Sequence, residues 1–116
     1  MIKFKSLNQS NQILRILKKN KLNRKYFTIY FDREKNINKY LNITFITKKK
    51  LGNAVTRNKI RRRLKAAVQK TLNEKYSIDL NYTYIILGKN NVYKDKFSLI
   101  QDEVNNTFKK IRQANN

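Results

Sequence analysis

The segment YTYIILG at 82–88 sets Ile85, Ile86 and Leu87 in unbroken succession. Successive side chains of a strand project to opposite faces, so an apolar run without alternation predicts a strand buried on both sides. A chain that contains such a strand has to build a sheet and pack helices on it. Gly88 and the polar Lys89-Asn90-Asn91 then end the strand.

The other segments supply what that strand needs. KYFTIYFD (25–32) is aromatic and β-branched and reads as a strand, with Phe27, Ile29 and Phe31 on one face and Tyr26, Thr28 and Tyr30 on the other. YLNITFIT (40–47) reads as a second strand, Leu41, Ile43 and Phe45 alternating with Asn42, Thr44 and Ile46. The segment REKNINK between them is a polar connection. A short helix of about 10–19, capped by Ser10, carries Ile13, Leu14, Ile16 and Leu17. A long helix spans about 54–74, and a last one about 94–112 has Phe97, Ile100, Val104, Phe108 and Ile111 at steps of three and four. With no proline and only two glycines, nothing reads as a linker. The expectation is one domain over 1–116, an α+β two-layer sandwich in the order α-β-β-α-β-α with helices on a small central sheet.

Charge narrows the function. Lys and Arg number 28 against seven acids, a net +21, and a compact domain with so much like charge needs a polyanionic partner to offset self-repulsion. Nucleic acid is the first candidate and an anionic membrane surface the second. Cysteine and histidine are absent, which removes thiol nucleophiles, the commonest general base and the usual zinc ligands. The acids Asp32, Glu34, Glu74, Asp79, Asp95, Asp102 and Glu103 are scattered. The expectation is therefore no catalytic and no metal-binding residue. No apolar run is long enough to span a bilayer, and MIKFKSLNQSNQ lacks the pattern of a secretory signal, so the chain is expected in the cytoplasm.

The densest charge lies in KKKLGNAVTRNKIRRRLK (48–65). On a helical wheel Ile60, Leu64, Ala67, Val68 and Thr71 form one stripe. Asn58, Arg61, Arg62, Lys65 and Gln69 form a contiguous flank, with Lys59 and Arg63 continuing around the outside. No acid occurs between Lys35 and Glu74, so few of these cations have salt-bridge partners one turn away. A solvated surface helix is the bland reading, but arginines free of acids suit phosphate better, because the guanidinium forks onto it. Gly52-Asn53 is a turn pair in which Asn53 caps the helix, setting exposed N–H groups beside Lys48, Lys49 and Lys50.

The stretch TKKKLGNAVTRNKIRRRLKAA resembles the signature of the bacterial ribonuclease P protein subunit, centred on Arg-Asn-Arg-(Ile/Val)-(Lys/Arg)-Arg. Here that core is Arg57, Asn58, Lys59, Ile60, Arg61 and Arg62. Lys59 stands where the family usually has Arg, which keeps the charge and weakens bidentate contact. Length, charge, the first helix, the NRKYF lead into the first strand and the element order also match, so the resemblance covers nearly the whole chain.

The resemblance implies a non-catalytic protein component of a tRNA 5′-maturing endoribonuclease, whose chemistry is carried by a catalytic RNA subunit with Mg²⁺ held mainly by RNA. The implied partners are that RNA and precursor tRNA, with no obligate protein partner and no membrane. It implies RNA-subunit contacts from Lys48, Lys49, Lys50, Asn53, Arg57, Asn58, Lys59, Arg61, Arg62, Arg63 and Lys65. It also implies a cleft for the single-stranded 5′ leader between the first helix and the sheet, with Ile13, Leu17, Phe27 and Ile29 at the matching positions. Only Phe27 of these is aromatic, so leader binding leans on van der Waals contact and charge more than on stacking, and all four are equally candidates for the core. Tyr26 and Tyr30 supply rings if the opposite face of the strand lines the cleft. A left-handed βαβ crossover is implied as well, an exception to the usual handedness. The alternatives from other classes are a ribosomal or other structural RNA-binding protein, and a stand-alone nuclease using the scattered carboxylates.

Overall fold

A computed structural model describes residues 2–34, 40–74 and 78–114. The elements are β1 (Phe4–Lys5), α1 (Ser10–Leu17), β2 (Asn20–Asn23), β3 (Phe27–Arg33), β4 (Leu41–Ile46), α2 (Ala54–Leu72), β5 (Tyr82–Gly88) and α3 (Phe97–Gln113). Short 3₁₀ turns occupy Lys49–Leu51 and Asn90–Val92. All six expected elements are present, and the architecture is α+β. Most of the polar connection, residues 35–39, lies outside the described residues. Two short strands, β1 and β2, are additions to the expected order. The first helix ends at Leu17, and Ser10 is its first helical residue; Gln9 holds the cap position without a side-chain hydrogen bond.

The doubly apolar segment takes the centre. The sheet order is β1-β4-β5-β3-β2. β5 pairs parallel to β4 and antiparallel to β3, β1 parallel to β4, and β2 antiparallel to β3. β4, α2 and β5 thus form a βαβ unit joining adjacent parallel strands.

Register assigns the faces. Ile29 pairs with Ile86 and Ile43 with Tyr84, so Phe27, Ile29, Ile43, Tyr84 and Ile86 project together. They share one hydrophobic core with Ile60, Leu64 and Val68 of α2 and with Ile100, Val104 and Phe108 of α3. The buried amide of Gln101 sets α3 against α2, donating to the Ala67 carbonyl at 2.9 Å and to Thr71 Oγ1 at 2.8 Å. The opposite face carries Thr28, Tyr30, Ile85 and Leu87, and α1 packs across β3 and β5 there. Ile16 and Ile85 are fully buried yet stand outside the main core. Helix packing on both faces is the physical reason for the run Ile85-Ile86-Leu87.

Gly88 lets α2 lie close on the end of β5. A Cβ there would stand 2.8 Å from Ile60 Cγ2 and 2.9 Å from Leu64 Cδ1. Gly88→Ala is expected to lower stability by about 1–3 kcal/mol through overpacking, read as a fall in the midpoint of chemical denaturation. An unchanged midpoint would mean that α2 does not seat where it is described.

Candidate nucleic-acid interface

The basic segment begins where β4 ends. Lys48, Lys49 and Lys50 are all exposed, and the chain then turns through Gly52, whose φ of +139° is a conformation that side chains disfavour. Asn53 caps α2 as expected, its side chain accepting from the Thr56 amide at 2.9 Å, an arrangement that contributes about 1 kcal/mol. Three lysines therefore flank the positive end of a 19-residue helix whose first turn holds no acid.

Around α2 the cations separate into three groups. With Ile60 turned into the core, Arg57 and Arg61 fall on the flank toward β4. Arg61 donates to Thr47 Oγ1 at 2.6 Å and to Asn58 Oδ1, so its fork is already oriented. Arg57 is half-buried, and its Nε has no hydrogen-bond partner among the described residues. Asn58, Arg62 and Lys65 point outward and are exposed, with Val55 beside them 72% accessible. Val55, Asn58, Arg61 and Arg62 line a shallow depression of about 430 Å³. Lys65 also reaches back over the Phe4 ring, 5.8 Å from its centroid.

Lys59 and Arg63 differ from what the wheel suggested. They lie on the flank away from β4 and are half-buried. Lys59 Nζ stands 4.3 Å from the centroid of Tyr93, and Arg63 donates to the Val92 carbonyl. The angles on the wheel were right, but that flank faces the 3₁₀ turn Asn90–Val92 instead of solvent.

The cleft residues also redistribute. Phe27 and Ile29 are 0% exposed, inside the core under α2 and α3, and so offer no surface to a ligand beside α1. The face of β3 turned toward α1 is the other one, bearing Thr28 and Tyr30. Ile13 and Leu17 are partly exposed on α1. Gln12 and Arg15 occupy the opposite flank, where both engage Glu34. Ile13 and Leu17 fall on the other flank of α1, and Leu14 is 57% exposed. On the face of the sheet that α1 covers, a groove of about 350 Å³ at the ends of β3 and β5 has Thr28, Leu51 and Leu87 as its floor and Lys48, Lys50 and Lys89 at its rim.

From the sequence Leu87 reads only as part of a buried strand and Lys89 only as part of its end, neither as a site residue. The available signal was positional. Lys48 directly follows the strand at 40–47 and Lys89 the strand at 82–88, and a helix crossover makes such strands parallel, so their trailing lysines come together.

A family model described as "Ribonuclease P" matches residues 1–112. The chain belongs to the ribonuclease P protein family. Among curated proteins it is similar to the ribonuclease P protein component of Mesoplasma florum, 35% identical over 79 residues that make up 68% of each chain. The component from Carboxydothermus hydrogenoformans is 28% identical over 90 residues, covering 78% of this chain and 75% of that one. Among solved structures, the RNase P protein from Thermotoga maritima superposes with a TM-score of 0.72 at 18% identity, over 91% of this chain and 96% of that one. The Staphylococcus aureus RNase P protein gives 0.62 at 21% identity, over 93% and 94%. At those identities the two structures speak for the fold. The chain is accordingly a protein component of ribonuclease P, part of a tRNA-processing enzyme, with ribonuclease P RNA as its partner. Among the described residues no helix is long and apolar enough to cross a membrane.

Proposed function

We propose that the chain binds the catalytic RNA subunit through the outer and β4-side faces of α2 together with Lys48–Lys50. On this reading it also holds the single-stranded 5′ leader of precursor tRNA in the groove beside α1. The observation that carries the proposal is the acid-free cationic surface of α2, whose leading lysines Lys48 and Lys50 also form the rim of a groove with a largely apolar floor. Phosphates seat on Arg57, Arg61, Arg62, Lys65 and the capped helix start. The leader lies along Ile13 and Leu17 of α1 and over Thr28 and Leu87, its phosphates meeting Lys48, Lys50 and Lys89. Tyr30 is the one aromatic on the cleft side of β3, so contact and charge outweigh ring stacking.

The Mg²⁺ ions that hydrolysis requires are assigned to RNA. The lysines and arginines that dominate the face offered by the protein are positively charged and carry no acceptor, so they repel a cation. What the protein supplies is charge screening and placement. It lowers the repulsion between two polyanions and seats the leader so that the scissile phosphate meets the catalytic RNA.

Reconstitution tests the reading. The protein alone is expected to leave precursor tRNA intact, and with its cognate RNA to restore 5′ cleavage at Mg²⁺ concentrations where the RNA alone is slow. Cleavage by the RNA-free protein, or no stimulation of the cognate RNA, would refute it.

A further inference from the structure

Lys59 and Arg63 belong to the stretch that carries the family resemblance, yet both are engaged within the protein. Lys59 places its ammonium over the Tyr93 ring at 4.3 Å, and the Arg63 guanidinium holds the carbonyl of the fully buried Val92. Both partners lie in the 89–95 segment that joins β5 to α3. The far side of that segment is bonded to the β2–β3 turn. The Lys89 amide donates to the Tyr26 carbonyl at 3.0 Å, and Asn91 Nδ2 to the Lys25 carbonyl at 3.0 Å. The Tyr26 hydroxyl donates to Asp95 Oδ2 at 2.7 Å. The Lys89 ammonium itself is held by Asn23 Oδ1 at 2.6 Å and by the Arg24 carbonyl. One bonded series therefore runs from the inner flank of α2 to the lysine at the rim of the groove.

We propose that Lys59 and Arg63 are positioning residues that brace the 89–95 segment, and through it Lys89 at the groove, and that they do not contact RNA. An ammonium on a ring face and a half-buried guanidinium bonded to a carbonyl are both turned inward, away from the surface on which Arg62 and Lys65 stand. A bracing role at the third position of the signature accommodates Lys here. An ammonium and a guanidinium both sit on an aromatic face, whereas bidentate phosphate binding would demand Arg. The part concerning the groove rests on the leader-binding reading above.

The test uses Lys59→Met, Tyr93→Leu, their double variant and Arg63→Met, with Lys59→Arg as the conservative replacement. In the protein alone, amide exchange at Lys89 and Val92 is expected to quicken roughly three- to tenfold in Lys59→Met and Tyr93→Leu while Ile86 is unchanged. The double variant should add little to either single one, and Lys59→Arg should restore protection. Unchanged exchange at Lys89 and Val92 overturns the brace whatever RNA does. In the holoenzyme, the salt dependence of catalytic-RNA binding is expected to stay at the wild-type slope for all variants. A slope lowered by about 0.7–0.9 in Lys59→Met or Arg63→Met but not in Tyr93→Leu would put a phosphate on that cation and overturn the proposal. Affinity for precursor tRNA should fall by a similar factor to the exchange effect, and affinity for the same tRNA without its leader should not. Faster exchange with equal effects on both tRNAs refutes the link to the groove. If wild-type holoenzyme does not distinguish the two tRNAs, it is the leader-binding reading that fails, and exchange and slope still decide the brace.

Discussion

Replacing Arg57, Arg61 and Arg62 together by Gln is expected to weaken binding of the catalytic RNA by roughly two to three orders of magnitude at moderate salt. Charge-assisted hydrogen bonds contribute about 1.5–3 kcal/mol each, and losses of this kind are not fully additive. The diagnostic quantity is the slope of log affinity against log salt, which should fall by roughly 0.7–0.9 for each phosphate contact removed. The three residues differ in what else they do. Arg62 is exposed and free of protein partners among the described residues, so Arg62→Gln should change the slope and leave stability alone. Arg61 is tied to Thr47 and Asn58, so its loss also releases the end of β4. An unaltered slope in the triple variant would place the RNA on another surface.

The second large effect separates core from cleft. Phe27→Ala is expected to cost about 3–5 kcal/mol, since it empties a fully buried site between the sheet and the two long helices. That is a large share of the roughly 5–15 kcal/mol that stabilises a domain. Leu17→Ala, on the exposed flank of α1, should cost far less stability and act on leader-bearing precursor tRNA. Urea denaturation read beside precursor binding distinguishes the two. A Phe27→Ala protein of near wild-type stability that had lost selective leader affinity would return Phe27 to the cleft.

Much of this was legible from pattern. α2, α3 and β5 have long or unambiguous periodicity, and they emerge within three residues of the expected limits. β1 and β2 did not announce themselves because they are edge strands, Phe4-Lys5 and Asn20-Lys21-Leu22-Asn23, each with a single partly buried apolar residue and so no alternation to read. The two faces of β3 were distinguished correctly, but both carry apolar or aromatic groups. Which face would receive α1 is a property of the tertiary arrangement. The same holds for Lys59 and Arg63. Angle around a helix is local information, and what lies opposite that angle is not. Lys89 and Leu87 entered the groove through the parallel pairing of two strands separated by a whole helix, a proximity that no window of sequence contains.

The place of β5 in the sheet also governs when the groove can exist. It is the last strand along the chain and the middle one in space, flanked by β4–β1 on one side and β3–β2 on the other. Until residues 82–88 are available, those are two unconnected strand pairs, each too small to stand alone in water. A ribosome reading from the first residue onward therefore releases nearly all of the signature's positive charge before any surface exists to organise it. Selective grip on RNA waits for the ninth block of ten residues, which holds β5 and closes the sheet.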